Sequence, residues 1–131
     1  MNKLNSKGQS LAMFIIFIPF FIMIGAYIID LGFAKYNSNK LDSINKLVIK
    51  YGLLNIDEEP KEEMIKLIYK NDSKIDRYNI AINESENTVR VELEKSTKGF
   101  FGSIIDKEIY KEISSYTGSI KNNNIVIERN W

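Results

Sequence analysis

The sequence predicts an α+β protein: a long N-terminal helix that first spans a membrane and then continues as a stem, followed by a small head with a short helix and an antiparallel sheet. Three observations carry this. Residues 11–29 form an apolar run without a charged side chain. Apolar residues then recur at largely helical spacing as far as Leu54. Beyond residue 76, two short segments alternate apolar and polar side chains, the period of a half-buried strand.

The apolar run decides the class. About 19 helical residues rise roughly 28 Å, close to the ~30 Å hydrocarbon core of a bilayer. A buried core helix is the first rival. The rest of this 131-residue chain is too small to wrap a helix that is apolar on every face. A cleaved secretory signal is the second. Such a signal has a shorter apolar region and a small-residue cleavage site, whereas here Asp30-Leu-Gly-Phe-Ala-Lys-Tyr continues helically. Lys3 and Lys7 precede the run, and all 17 acids lie at or beyond Asp30. The positive-inside rule therefore places the N-terminus in the cytoplasm and the head outside, against the opposing pull of Lys35 and Lys40. Pro19 falls near mid-span, where it removes one backbone donor and favours a kink.

The stem, residues 30–55, is expected to carry its stripe on Leu31, Tyr36, Leu41, Ile44, Leu47, Val48, Tyr51 and Leu54, with Gly52 or Asn55 ending it. Asp30 reads as an interfacial acid, or as a group that contacts a neighbouring helix or a basic partner. Gly25 and Gly32 offer small faces for close helix approach, seven residues apart rather than the usual four. The head, residues 56–131, begins with Pro60 in the first turn of a second helix. Met64, Leu67 and Ile68 form its apolar side, Lys70 suits its end, and Asn71-Asp-Ser73 closes it. Tyr78, Ile80 and Ile82 pair as a hairpin with Val89, Val91 and Leu93 across Glu84-Ser-Glu-Asn87. Gly99 to Ile105 is an apolar interruption, a short helix or a packed loop. Ile109 to Ile120 and Ile125 to Ile127 are candidate strands of open register.

Composition narrows the chemistry. With 18 basic and 17 acidic residues the chain lacks the field of a nucleic-acid binder. No Cys and no His are present, which removes disulfides, thiolate nucleophiles and the commonest general base and metal ligand. Glu58-Glu59, Glu62-Glu63 and the Glu84/Glu86 pair sit in polar segments and read as solvated. The spacing of Asp72 and Asp76 lacks the closing bidentate Glu of a calcium loop. With no phosphate-binding glycine loop or nucleophile elbow either, we expect no enzyme, no cofactor and no metal.

Lys7-Gly-Gln-Ser-Leu-Ala-Met-Phe14, the proline-bearing apolar span and Asp30-Leu-Gly-Phe-Ala-Lys-Tyr together resemble the TadE/TadG-like proteins of Tad (tight adherence) type IV pilus systems. The resemblance is strongest over residues 7–54 and continues in order over the hairpin and residues 114–119. It implies a pilin-like minor component or membrane-anchored assembly protein, at the cell membrane or in a pilus. Its partners would be other pilin-like subunits, assembly proteins, membrane lipid and a prepilin peptidase. Residues 1–10 then form a leader-like segment with Gly8 and Gln9 flanking the cut, and Phe14, Pro19, Gly25, Asp30 and Gly32 serve membrane helix packing. Processed members carry Glu at the fifth residue beyond the cut, followed by an aromatic. Here Met13 replaces the Glu and Phe14 keeps the aromatic. That departure favours a member that stays in the membrane, or begins or caps a filament, over a repeating subunit. The alternative is an unrelated single-pass tethered binding or sensing module.

Overall fold

The structure, a computed structural model, describes residues 2–99 and 109–130. One helix, α1 (Asn2–Leu54), runs through Pro19. A single 3-10 turn (Ile56–Glu58) leads into α2 (Lys61–Asn71). Four strands follow: β1 (Arg77–Asn83), β2 (Thr88–Lys98), β3 (Ile109–Lys121) and β4 (Asn124–Arg129). They form an antiparallel meander in the order β1-β2-β3-β4. Beyond Gly99, the predicted apolar interruption lies outside the described residues.

The core lies between the last four turns of α1, α2 and one face of the sheet. Leu41, Ile44, Val48, Ile49 and Leu53 meet Val89, Val91 and Leu93 of β2, and Met64 and Ile68 of α2 close the end. At 3.6 residues per turn, the buried positions of α1 fall on one stripe that also holds Asn45 and Gly52. The predicted stripe needs correcting here. Leu31, Tyr36, Leu47 and Leu54 are exposed, while Ile49 and Leu53 are buried. Tyr36, Leu47 and Leu54 sit about 120–140° around the helix from Leu41. Counting apolar letters cannot tell a face that meets the sheet from one that merely happens to be apolar.

Two inward residues of β3 explain why its register was hard to read. Its inner positions, Ser114, Tyr116 and Gly118, pair with Leu93, Val91 and Val89. No aliphatic side chain marks the buried part of that face, because α1 lies directly on it. A Cβ on Gly118 would come within 2.2 Å of Ile49 Cγ2 and 3.0 Å of Leu53 Cδ1. Ser114 leaves room for Asn45, whose Nδ2 donates to the Val91 carbonyl at 2.9 Å and the Ser114 carbonyl at 3.0 Å. Ser114 Oγ in turn donates to Asp42 Oδ1 at 2.6 Å. A buried amide left without such partners would cost about 1–3 kcal/mol, so these bonds tie the register of α1 to β2 and β3. Lys46 and Arg129 lie over the Tyr116 ring, 5.2 and 5.9 Å from its centroid. Burial and the nearby Asp42 carboxylate raise the Tyr116 phenol above its ordinary value despite the Arg129 charge.

The turns follow local chemistry. The β1–β2 connection is the expected polar loop over residues 84–87. Asn83 Oδ1 accepts from Ser85 Oγ and the Glu86 N–H, and Asn87 takes positive φ. Lys121 and Asn124 pair across Asn122 and Asn123, both at positive φ (53° and 64°), which makes a type I′ hairpin. Asparagine tolerates that conformation, so an Asn-Asn pair between apolar runs was a usable turn signal that the sequence reading passed over.

Candidate functional site: the bare helix and its junction with the head

The head touches only one end of α1. Between Leu11 and Ile29 the large apolar side chains are 41–71 % exposed, and no residue there is buried. None of the described head residues reaches that far. The segment is thus a bare apolar rod, long and apolar enough to cross a membrane. Isoleucine and phenylalanine are mediocre helix formers in water. In hydrocarbon, however, every backbone group must be satisfied within the segment, and the helix is the single-segment way to do so. Rings along the rod stack locally, Phe17 on Phe21 at 6.2 Å and Phe20 on Phe21 at 6.4 Å.

The predicted helix-packing residues separate into two faces. At about 100° per residue, Phe14, Gly25 and Gly32 lie within roughly 20° of one another, on the side of α1 opposite Leu41. Phe14 is exposed, and neither glycine has an atom within 4 Å of where a Cβ would stand. That side is open along its length. Pro19 and Asp30 fall on the other face, in line with Leu41. Gly8 and Gln9 lie on the exposed first turns of α1, with open space at Gly8. Met13, at the position of the missing Glu, is exposed on the rod.

Asp30 is 1 % exposed and packs within its own chain. A Cβ on Gly99 would lie 2.7 Å from its carboxyl and 2.6 Å from the Tyr110 ring. The end of β2 therefore folds down onto the helix just above the apolar rod. Asn37, 5 % exposed, is buried two turns further along the same face. The buried stripe of α1 changes from aliphatic to polar as it approaches the rod.

Beside this junction lies a polar cleft of about 280 Å³. Phe33 and Asn37 of α1 line it with Lys74, Lys95, Thr97 and Lys98. Lys95 Nζ donates to Asp72 Oδ2 at 2.5 Å, and both side chains are about nine-tenths buried. Burial pushes the Asp72 carboxyl up, but the Lys95 hydrogen bond, the Lys74 N–H and the Lys95 and Lys40 charges outweigh it and hold it below the usual carboxylate value. Asp76 Oδ2 accepts from the Ser96 N–H at 2.7 Å. The two acids weighed as a calcium loop are thus each engaged by β2, and no carboxylate cluster with metal-ligand geometry occurs among the described residues. The sequence reading missed this cleft, because its members come from three separate segments. Neither a protein-family model, nor a curated protein, nor a solved structure matches this chain.

Proposed function

We propose that the chain is a membrane-anchored, pilin-like minor component or assembly protein of a Tad-type (type IV) pilus, non-enzymatic and acting through helix packing. One observation carries it: a single helix whose first half projects bare and apolar while its second half is built into an antiparallel head. Such a rod is insoluble alone and needs lipid, other apolar helices, or both. The N-terminus with Lys3 and Lys7 lies in the cytoplasm and the head outside. The open face of Phe14, Gly25 and Gly32 is where a neighbouring helix approaches closely, since small residues allow backbone contact. Met13 offers no carboxylate to a neighbour's amine, so the chain stays in the membrane or begins or caps a filament rather than repeating along it.

Two measurements test this. Intact mass and N-terminal sequencing of the protein from native membranes read the processing. A chain beginning at Gln9 marks a subunit cut after Gly8 and able to enter a filament, and an uncut chain marks a permanent anchor. The sequence contains no cysteine, so Gly25→Cys and Gly32→Cys each introduce a unique thiol. Cross-linking to pilin-like partners at both positions supports the assembly role. A chain that stays monomeric at both sites overturns it in favour of a tethered binding module.

A further inference from the structure

The cleft at the junction holds two polar groups that no described residue satisfies. Asn37 Nδ2 and Thr97 Oγ1 are buried and make no hydrogen bond. Both residues line the same cleft. Native proteins pair nearly all buried polar atoms, so two unpaired donors in one place point to a missing acceptor. The surrounding charge says which kind. Lys74 and Lys98 line the cleft, and Lys74 makes no ion pair among the described residues. Two acids of neighbouring segments are already committed, Asp72 to Lys95 and Asp76 to the Ser96 N–H. An amide N–H, a hydroxyl and ammonium groups together suit an anionic oxygen ligand such as a phosphate.

Position names the source. Phe33 and Asn37 lie about 6 and 12 Å along the helix axis past Ile29, where the apolar run ends. The headgroup layer of a bilayer begins at the hydrocarbon edge, and lysine side chains reach several ångströms along it. Phe33, exposed at the lower lip, suits the boundary between acyl chain and headgroup. We infer that this cleft binds the phosphate of an anionic phospholipid, with Asn37 and Thr97 donating hydrogen bonds and Lys74 supplying charge. The lipid source rests on the membrane-anchor reading above; the anion chemistry does not. Bound lipid would hold the head at a set height and tilt on the membrane.

The test titrates the full ¹⁵N-labelled chain, held in neutral detergent micelles, with three probes: short-chain phosphatidylglycerol, short-chain phosphatidylcholine and inorganic phosphate. Phosphatidylglycerol should shift the Asn37 side-chain amide and the Thr97 backbone amide saturably and far more than the other two. Thr97→Val keeps the shape, removes the hydroxyl and should weaken that response about fivefold, as should Lys74→Gln. Lys50→Gln, roughly 20 Å along the helix, should leave it unchanged. A purely structural Thr97 would instead leave the titration untouched. Equal responses to all three probes overturn the lipid assignment, and no saturable shift at Asn37 or Thr97 overturns the site. The anchor is read separately, by flotation of the chain with phosphatidylcholine vesicles. A chain that fails to float sinks the anchor reading, while the micelle titration still reports on the cleft.

Discussion

The two halves of α1 share one backbone conformation and have opposite reasons for it. Between Leu11 and Ile29 the helix is apolar all round, and among the described residues its side chains stay exposed, with rings stacking only on one another. Between Leu41 and Leu53 one apolar stripe is almost wholly buried against β2, β3 and α2, while Leu47 on another face stays exposed. On the membrane-anchor reading, the first half is helical because its backbone must be satisfied locally in an apolar medium. The second half is helical because its stripe finds a partner surface; most helical stability in water comes from such packing. Between them, Asp30 and Asn37 keep the stripe's geometry but not its chemistry. The stripe thus turns polar where the bare apolar run gives way to the packed stem.

This contrast can be broken from either side. The largest effect should come from Gly118→Val, which drives a branched side chain into Ile49 and Leu53. Overpacking of a close helix–sheet contact costs about 3 kcal/mol. Chemical denaturation of the detergent-held chain should show a head destabilised by that amount, with membrane insertion unchanged. If insertion falls as well, the halves are coupled in a way the packing does not show.

Phe20→Lys works in the opposite sense. It places a charge near mid-span on an exposed position and should cost about 3 kcal/mol of insertion, read in a translocation assay. The head's denaturation midpoint should not move, because Phe20 is exposed and no described head residue covers it. A shifted midpoint would mean that the bare half supports the head.

The smallest effect concerns acid. The folded Asp72 carboxyl lies below its unfolded value, so its pairing stabilises the head fully above about pH 4 and loses that contribution as pH falls through the folded pKa. Head stability measured between pH 6 and pH 2 should decline at the acid end. The double variant Asp72→Asn with Lys95→Met should flatten part of that decline, since it removes the charged pair together. An identical decline in the double variant would assign it to other carboxylates.

The legible parts of the fold were those with local signals. The apolar run, the second helix near Pro60 and the Ile80–Val91 hairpin each announce themselves within a few residues. Gly25 and Gly32 stand open in the structure. The stem stripe was half right, because periodicity detects a helix without saying which side meets the sheet. The junction cleft was illegible for a different reason. Asn37, Lys74, Lys95 and Thr97 look like ordinary solvated residues in sequence, and only folding brings them together.

The sequence by itself determined the division of the chain. An uncharged run of membrane-spanning length must find an apolar surrounding wherever it lies, and a charge-dense remainder must not. Tertiary structure alone decided which face of the stem is buried, why β3 carries Ser114 and Gly118 where an aliphatic was expected, and that Asp30 is enclosed by its own chain. Hydrophobic pattern is a property of neighbours in sequence. Close approach and hydrogen-bond satisfaction are properties of groups dozens of residues apart, and they come into being only when the helix settles on the sheet.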